Sequence, residues 1–424
     1  MSSVVINSKK LPAGPGRSSF FRSLMRWLVH NHLRGLRSGR LVIVEGERRW
    51  EFGEITDNAE IVARIIVQDA RCYRDVVFGG TIGAGESYMR GNWTTNDLTA
   101  VMRVLLRNRN LLNRMEKCFA RLSEPSNRLF HWWNRNSKKG SRRNIAAHYD
   151  IGNDFFRLWL DSSLMYSSAV FKNSKMTLEE ASFAKLKLIC DKLELSPEDH
   201  LLEIGAGWGG LAIFAAREYG CRVTTTTISQ EQFVFTQRRV REENLESYVT
   251  VLLQDYRDLT GQFSKLVSIE MLEAIGHEFV DAYFKKCSSL LKSNGIMLLQ
   301  TITIAHDQYE RAKRSVDFIQ RYIFPGGSLS SVPILEASVA RATNFRLHHI
   351  MDIGPDYAIT LRHWRERMLS RLSDVRSLGY SEEFVRMWDF YFSYCEGGFV
   401  ERAISNVQLL LAKPESYPRI SRSV

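Results

Sequence analysis

The chain has 424 residues and 44% hydrophobic content, which is long enough for two packed domains. Polar residues interrupt every apolar run, Leu291–Ile304 included, so a membrane-spanning helix is excluded and any membrane contact is expected to be peripheral. The formal net charge is +11, and eight basic residues precede the first acidic one, Glu45.

The positive charge favours an anionic partner, and nucleic acid or anionic lipid would each satisfy it. A second basic cluster spans residues 138–143. Charge alone does not choose between these partners, and either cluster is also compatible with ordinary solvated surface. The six cysteines are scattered, with no CxxC pair and no secretory leader before them, which predicts a reducing compartment such as the cytoplasm.

Residues 1–40 form a basic N-terminal segment, in which 18–37 has the spacing of an amphipathic helix. We expect this helix to pack on its own domain. A helix lying on a membrane and an arginine-rich mitochondrial targeting segment are the two alternatives.

Residues 41–130 predict a small α+β domain. Leu41–Val44 and Trp50–Gly53 flank a polar turn as a hairpin would, and Ile61–Val67 alternates again. The glycines between Gly79 and Gly85 are expected to interrupt regular structure, and helical patterns follow at 98–105 and 111–122. The polar stretch 131–144 predicts a linker to a domain at 145–424.

The second domain begins with an amphipathic helix at 177–195 and continues with β/α alternation. This alternation predicts a doubly wound, mostly parallel seven-stranded sheet of the Rossmann-like type. Strands are expected at His200–Ile204, Arg222–Ile228, Val249–Gln254, Leu266–Met271, Ile296–Thr301, Arg346–Ile353 and Val407–Ala412, with helices at Leu211–Tyr219 and Gln232–Glu243.

The turn after the first of these strands reads GAGWGG, with glycines at 205, 207 and 209 that allow a ligand to approach the backbone closely. A dinucleotide site would need an acidic residue at the end of the second strand, but that strand ends in threonines. NAD is therefore disfavoured. S-adenosylmethionine fits better, with Glu203 before the glycines and Asp255 and Tyr256 after the third strand.

Several stretches together resemble the cyclopropane-fatty-acyl-phospholipid synthases and the related mycolic-acid methyltransferases. They run in order from GESYMRGNW at 85–93 to CEGGF at 395–399, and include HYDIGNDFFRLWLD (148–161), MYSSAVF (165–171), LLEIGAGWGGLA (201–212), SIEMLEAIG (268–276), RYIFPGG (321–327) and GPDYAITL (354–361). The resemblance implies an S-adenosylmethionine-dependent methyltransferase whose cofactor is held by Tyr166, Ser167, Gly205, Gly207, Thr227, Gln232, Asp255 and Tyr256.

The implied reaction is methyl transfer to the cis double bond of an acyl chain, which produces a carbocation and then a cyclopropane. Such a cation needs an apolar pocket with aromatic faces. Aromatic residues in or beside the matched stretches are Phe155, Phe156, Tyr166, Phe171, Tyr322, Phe324 and Tyr357. In the family the proton goes to a bound bicarbonate, and by position Glu273, Tyr357 and Cys395 match its active-site residues.

Two positions depart from the family pattern: Ser168 replaces a cysteine, and Gln300 replaces a histidine. Serine leaves the backbone amide in place. Glutamine is a fixed neutral donor and acceptor, so an anion held partly by charge loses attraction there. Two products therefore stay open: a cyclopropane, or a methylene- or methyl-branched chain.

The expected partner is unsaturated phospholipid at an anionic membrane surface, with no metal and no nucleic acid. A nucleic-acid methyltransferase is disfavoured because the sequence lacks an Asn-Pro-Pro-Tyr-type motif for a flipped base. A lipid-binding protein without turnover is a third hypothesis, which the intact glycines argue against. The sequence leaves open whether the protein is a homodimer.

Overall fold

The protein is described by a computed structural model over residues 17–53, 61–113 and 151–419. The predicted linker and the basic cluster at 138–143 lie outside the described residues, as does most of the predicted helix at 111–122. Among the helices within these ranges, none combines the length and the apolar content that crossing a bilayer requires.

The described residues of the N-terminal part include a four-stranded sheet in the order β2-β1-β3-β4, together with helices. Its elements are α1 (Arg17–Leu33), β1 (Arg40–Glu45), β2 (Arg48–Phe52), β3 (Val62–Val67), α2 (Arg71–Met89), β4 (Trp93–Thr94) and α3 (Leu98–Arg107). β1 and β2 form the predicted hairpin, and β3 lies parallel to β1. One face of α1 is buried through Met25, Val29 and Leu33, so the expectation that this helix packs on its own domain is confirmed.

The C-terminal part contains the predicted β/α alternation. Its helices are α4 (Asn153–Arg157), α5 (Leu178–Lys192), α6 (Gly210–Tyr219), α7 (Gln230–Glu242), α8 (Val280–Leu290), α9 (His306–Ala312), α10 (Phe318–Tyr322), α11 (Val332–Ala342), α12 (Gly354–Ser370), α13 (Leu372–Ser377) and α14 (Glu382–Val400). Its strands are β5 (His200–Ile204), β6 (Arg222–Thr227), β7 (Val249–Leu253), β8 (Phe263–Ile269), β9 (Leu291–Ile304), β10 (Arg346–Asp352) and β11 (Ile404–Ala412).

These seven strands form one sheet in the order β10-β11-β9-β8-β5-β6-β7, as the doubly wound prediction requires. β11 runs antiparallel to both of its neighbours, and the five strands from β9 to β7 in this order are parallel. The order of strands reverses between β5 and β8, and ligands of open α/β sheets bind at such a point, beyond the carboxyl ends of the strands. The glycine turn follows β5, and Glu270 follows β8.

The two parts of the chain meet along α14. Buried Tyr88 donates a 2.5 Å hydrogen bond to Asp389, and Thr99 donates one to Glu396 at 3.0 Å. Arg103 forms a 2.7 Å ion pair with Glu401. Because residues of both parts belong to one continuous hydrophobic cluster, α14 joins the small sheet to the wall of the larger domain.

The expected interruption at Gly79–Gly85 occurs as a kink at Gly80. This residue has φ 54° and ψ −136°, so the helical backbone is broken there and α2 consists of two helical segments that meet at the kink. A Cβ on Gly85 would lie 2.6 Å from the Phe318 ring. The glycines therefore permit a bend and a close approach rather than a loop.

We predict that Gly85→Ala lowers the midpoint of thermal unfolding, because overpacking of a filled site typically costs about 1–3 kcal/mol. The matched control is Gly79→Ala in the same helix, where an added Cβ meets no atom within 4 Å. The control should leave the midpoint unchanged or raise it, since alanine favours helix over glycine by up to about 1 kcal/mol. Equal midpoints for the two variants would contradict the close approach at Gly85.

Candidate active site

The glycine turn presents open backbone at the carboxyl end of β5. Gly205 and Gly207 have φ of +100° and +51°, conformations that favour glycine. A Cβ on Gly205 would press on Met271 at 3.2 Å, whereas a Cβ on Gly207 would meet no atom within 4 Å. The space beside Gly207 is therefore available for a ligand that approaches the main chain, as the predicted cofactor would.

The neighbouring strand ends carry the polar residues predicted for the ribose and the adenine. At the end of β6, Thr227 donates a 2.8 Å hydrogen bond to the side-chain oxygen of Gln232, so the amide nitrogen of Gln232 is oriented as a donor. After β7, Asp255 accepts hydrogen bonds from Arg257, the shortest at 2.6 Å, and Tyr256 packs edge-on against Tyr283. All of these groups lie at one edge of the sheet.

The segment before α5 closes the site from the other side. Ser167 accepts a 3.0 Å hydrogen bond from Lys185, a lysine that is fully buried. Burial lowers the pKa of Lys185 to about 8, although the nearby carboxylates of Glu270, Asp161 and Glu203 oppose this shift. Lys185 is thus buried directly behind Ser167, where acidic side chains of the site favour its charged form.

Glu270 is the acceptor on which the predicted catalytic groups converge. Its Oε1 accepts hydrogen bonds from the backbone N–H of Ser168 at 2.9 Å, from Gln300 at 2.8 Å and from Asn406 at 2.5 Å. Its Oε2 accepts one from the Tyr357 hydroxyl at 2.8 Å. Four donors from four separate segments therefore surround one carboxylate.

The backbone of Glu270 is in the left-handed region, with φ 48°, which non-glycine residues rarely adopt. The conformation is held in part by a 2.7 Å hydrogen bond from the Glu270 N–H to the carbonyl of Gln300. Residues kept in such conformations cluster at functional sites. The strained turn after β8 aims this carboxylate at its donors.

Glu273, the acid that the sequence predicts as catalytic, lies beside Glu270 with different partners. Its Oε1 accepts hydrogen bonds from the Ile302 N–H at 2.5 Å and from Thr301 at 3.0 Å, and its buried Oε2 has no partner among the described residues. Removal from water and the neighbouring Glu270 raise the pKa of Glu273 to about 8. Burial also raises the pKa of Glu270, and its hydrogen bonds from Ser168, Gln300, Tyr357 and Asn406 oppose that shift. Of the two acids, Glu270 has the donors that stabilise an ionised carboxylate, and Glu273 is the one that keeps a proton more readily near neutral pH.

The amide of Gln300 is oriented by a chain of hydrogen bonds behind it. Gln300 lies directly opposite Gln408 in the β9–β11 pairing, and Gln408 donates to the Gln300 side-chain oxygen at 3.0 Å. Lys192 in turn donates to the oxygen of Gln408 at 2.8 Å. Each amide therefore points its nitrogen towards Glu270, and the chain starts at a lysine ammonium.

Aromatic side chains surround the region between the carboxylate and the cofactor edge. The Tyr166 hydroxyl donates to the hydroxyl of Tyr391 at 3.1 Å, and Phe324 packs 6.1 Å from the Tyr166 ring. Burial and the neighbouring Glu270 hold the pKa of Tyr357 well above its usual range. Burial likewise raises the pKa of the Cys395 thiol. Near neutral pH these hydroxyl and thiol groups keep their protons.

The remaining aromatic residues that the sequence predicts for the pocket have other packing partners. Phe155 and Phe156 are fully buried and pack against Trp159 and Trp388. Phe171 stacks on His363, and Tyr322 donates a 2.5 Å hydrogen bond to Glu86 of α2. They serve packing between elements.

The structure thus brings Ser168, Gln300 and Tyr357 together, but on Glu270 rather than on Glu273. Sequence reasoning missed Glu270 and Asn406. Glu270 stands in the quoted stretch SIEMLEAIG, three residues before Glu273, and a second acid at the same strand end was a usable signal. No local pattern marks Asn406, which the pairing of the last strand places.

Comparison with known proteins identifies the family. The model of the mycolic acid cyclopropane synthetase family matches residues 136–409. The chain belongs to this family. It is 38% identical over 361 residues to the cyclopropane-fatty-acyl-phospholipid synthase of Escherichia coli (strain K12), covering 85% of this chain and 90% of that protein. It is 36% identical over 327 residues to the tuberculostearic acid methyltransferase UfaA1 of Mycobacterium tuberculosis, covering 76% of each.

Among solved structures, the mycolic acid cyclopropane synthase CmaA1 complexed with SAH and CTAB matches with a TM-score of 0.61 and 33% identity, covering 64% of this chain and 98% of that one. The predicted Rossmann-like methyltransferase fold is confirmed. This family member is an S-adenosylmethionine-dependent methyltransferase, and the glycine edge described above is compatible with that cofactor.

We predict that stability falls with rising pH between about 4.5 and 8 because of Glu273. Its pKa rises from 4.5 to about 8 on folding, so the native state keeps a proton that the unfolded chain releases in this window. Glu273→Gln removes this group, which binds up to one more proton in the native state than in the unfolded chain. The free energy of unfolding of the variant should therefore fall less steeply with pH than that of the wild type, by up to about 1.4 kcal/mol per pH unit. Urea unfolding measured from pH 5 to pH 8 tests this, with exposed Glu246→Gln as the control. A Glu273→Gln slope equal to that of the wild type would refute it.

Proposed function

We propose that this enzyme transfers the methyl group of S-adenosylmethionine to the cis double bond of phospholipid acyl chains and closes a cyclopropane ring. One observation carries the proposal. At one end of the sheet, the open backbone at Gly205 and Gly207 lies together with the aromatic wall formed by Tyr166, Phe324 and Tyr391 and with the hydrogen-bonded carboxylate of Glu270. The name of the 38%-identical Escherichia coli synthase supports the substrate class.

The cofactor supplies an electrophilic methyl group when it is bound. Gly205 and Gly207 would let its amino-acid end approach the backbone, and Thr227 with Gln232 would hold the ribose. Asp255 and Tyr256 would contact the adenine, and Tyr166 and Ser167 would contact the methionine end.

The chain's own residues then have to protect a carbocation. Tyr166, Phe324 and Tyr391 present aromatic faces, which stabilise passing positive charge by cation–π attraction. Because burial keeps Tyr357 and Cys395 protonated, neither is a competing nucleophile. These residues would exclude water until a proton is lost.

A methylene- or methyl-branched product is the second candidate. The name of the tuberculostearic acid methyltransferase, which is 36% identical to this chain, favours it, as does glutamine at position 300. Both products begin with the same methyl transfer and differ in how the cation is resolved.

A surface on α1 would deliver the enzyme to its lipid substrate. Opposite its buried face, this helix exposes Phe20 by 74% and Trp27 by 57%, with Leu24 between them at helical spacing. Arg22 and Arg34 are also exposed, and Glu45 already pairs with Arg26. An apolar stripe flanked by arginines fits an anionic bilayer surface, which we propose as its partner.

We predict that the purified enzyme, incubated with S-adenosylmethionine and vesicles of cis-unsaturated phosphatidylglycerol, forms S-adenosylhomocysteine and a lipid with upfield ring-proton signals in NMR. An olefinic methylene signal without ring signals would show that the product is a methylene-branched chain and not a cyclopropane. Absence of S-adenosylhomocysteine with every unsaturated phospholipid would overturn the function.

We predict that Phe20→Ser combined with Trp27→Ser weakens binding to phosphatidylglycerol vesicles at least tenfold, since burying a large apolar side chain is worth about 1.5–3 kcal/mol. Binding of the wild type should also fall as salt rises. The matched control is Phe183→Ser with Val234→Ser, which removes two similarly exposed apolar side chains from α5 and α7. Equal loss in both double variants, measured by vesicle co-sedimentation, would reject α1 as the docking surface.

A further inference from the structure

Glu270 and its donors Ser168, Gln300, Asn406 and Tyr357 form a carboxylate cage after β8. This cage has a chemical role that deepens the proposed function and rests on it. We infer that Glu270 Oε2 is the proton acceptor of the ring-closing step and replaces the bicarbonate ion that the family resemblance led us to expect. The protein would then carry within its own chain the anion that this resemblance assigns to the solvent.

The donors around Glu270 are the groups that were expected around the bicarbonate ion. The groups expected around bicarbonate were the backbone amide at 168, the side chain at 300 and the Tyr357 hydroxyl. All three donate to Glu270, at 2.8–2.9 Å. A separate anion bound to the same donors would occupy the position of the Glu270 carboxylate and would be repelled by its charge. The site already holds the negative group for which it is built.

The two carboxylate oxygens of Glu270 differ in their hydrogen-bond partners. Oε1 accepts three hydrogen bonds, from Ser168, Gln300 and Asn406, so its lone pairs are occupied. Among the described residues, Oε2 accepts a hydrogen bond from Tyr357 alone. A carboxylate oxygen can accept more than one hydrogen bond, so Oε2 keeps a lone pair for a proton. The cage fixes one oxygen and leaves the other available.

Glu270 is also more accessible than the side chains that hold it. Gln300 and Asn406 are fully buried, whereas Glu270 retains part of its exposed surface. The ring of Tyr357, which holds Oε2, packs 5.9 Å from Trp364, and Trp364 lies 5.4 Å from the Tyr166 ring, so Tyr357 connects the available oxygen to the aromatic wall where the cation would form. A carboxylate that served packing alone would gain nothing from the left-handed backbone of Glu270.

Methyl transfer to one alkene carbon leaves a cation on the other. A C–H bond of the new methyl group then breaks, its proton goes to Glu270 Oε2, and its electron pair forms the third bond of the ring. Glu270 becomes a neutral acid and returns the proton to water after the product leaves. The same transfer to Oε2 would serve the methylene-branched product. There a 1,2-hydride shift first moves the cation to the carbon that carries the new methyl group, and the electron pair of the broken methyl C–H bond then forms the double bond.

The wild-type enzyme gives the first test. S-adenosylhomocysteine formation with cis-unsaturated phosphatidylglycerol vesicles is measured in buffer freed of carbon dioxide and again with added sodium bicarbonate, with sodium chloride at matched ionic strength as the control. We expect equal rates in all three. A rate that collapses without bicarbonate and recovers with it would overturn the inference while leaving the proposed function intact.

Two variants give the second test. Glu270→Gln keeps the shape but cannot accept the proton, and turnover should fall about 100-fold or more. Glu270→Gly suits the left-handed backbone and opens the cage, so its turnover should be low without bicarbonate and rise with its concentration. Glu270→Gln, whose amide still fills the cage, should not respond to bicarbonate.

Calorimetric binding of S-adenosylhomocysteine checks that each variant is folded, and wild-type affinity is expected. Turnover of folded Glu270→Gln within a few-fold of the wild type would overturn the assignment to Glu270. If the wild type itself forms no S-adenosylhomocysteine with any unsaturated phospholipid, the proposed function fails and this inference fails with it. If neither variant folds, the bicarbonate response of the wild type decides the question.

Discussion

The arrangement of the site depends on one electrostatic constraint: a negative carboxylate at the end of β8 has to be surrounded by hydrogen-bond donors. Four separate segments meet this demand, through the Ser168 amide, Gln300 on β9, Tyr357 on α12 and Asn406 on β11. Because an unpaired charge away from water is costly, the carboxylate and its donors hold one another in place. The same hydrogen bonds therefore fix both the position of the carboxylate in the site and the packing of the segments around it.

The small N-terminal domain contributes through α14. This helix carries Tyr391 and Cys395 on the side of the site, and Asp389 and Glu396 on the side of α2 and α3. Charged and polar contacts of this kind fix the helix in rotation as well as in position. The domain that is expected to meet the lipid is thus coupled mechanically to the aromatic wall that would receive the acyl chain.

Much of the fold could be predicted from the sequence because its signals are local. Period-2 and period-3.6 patterns located the strands from β5 to β9 within a few residues, and the glycine turn located the cofactor edge. The break at Gly80 was predicted, but its form as a kink between two helical segments was not, because glycine marks a bend and a loop alike. Glu270 was passed over because the family pattern drew attention to Glu273. Asn406 became visible only through long-range strand pairing, which no local pattern encodes.

The antiparallel pairing of β9 with β11 has an evolutionary consequence. Gln300 faces Gln408, and Ile302 faces Asn406, across this pair. A shift of one residue in either strand would turn every side chain to the opposite face of the sheet and remove two supports of the carboxylate at once. Substitutions can accumulate in these strands, whereas length changes are better accommodated in exposed loops, such as the turn between α13 and α14, than in α12, α14 or β10, which also lie between the two strands. Descendants of this gene should therefore vary in length in such loops and hardly at all within the two strands.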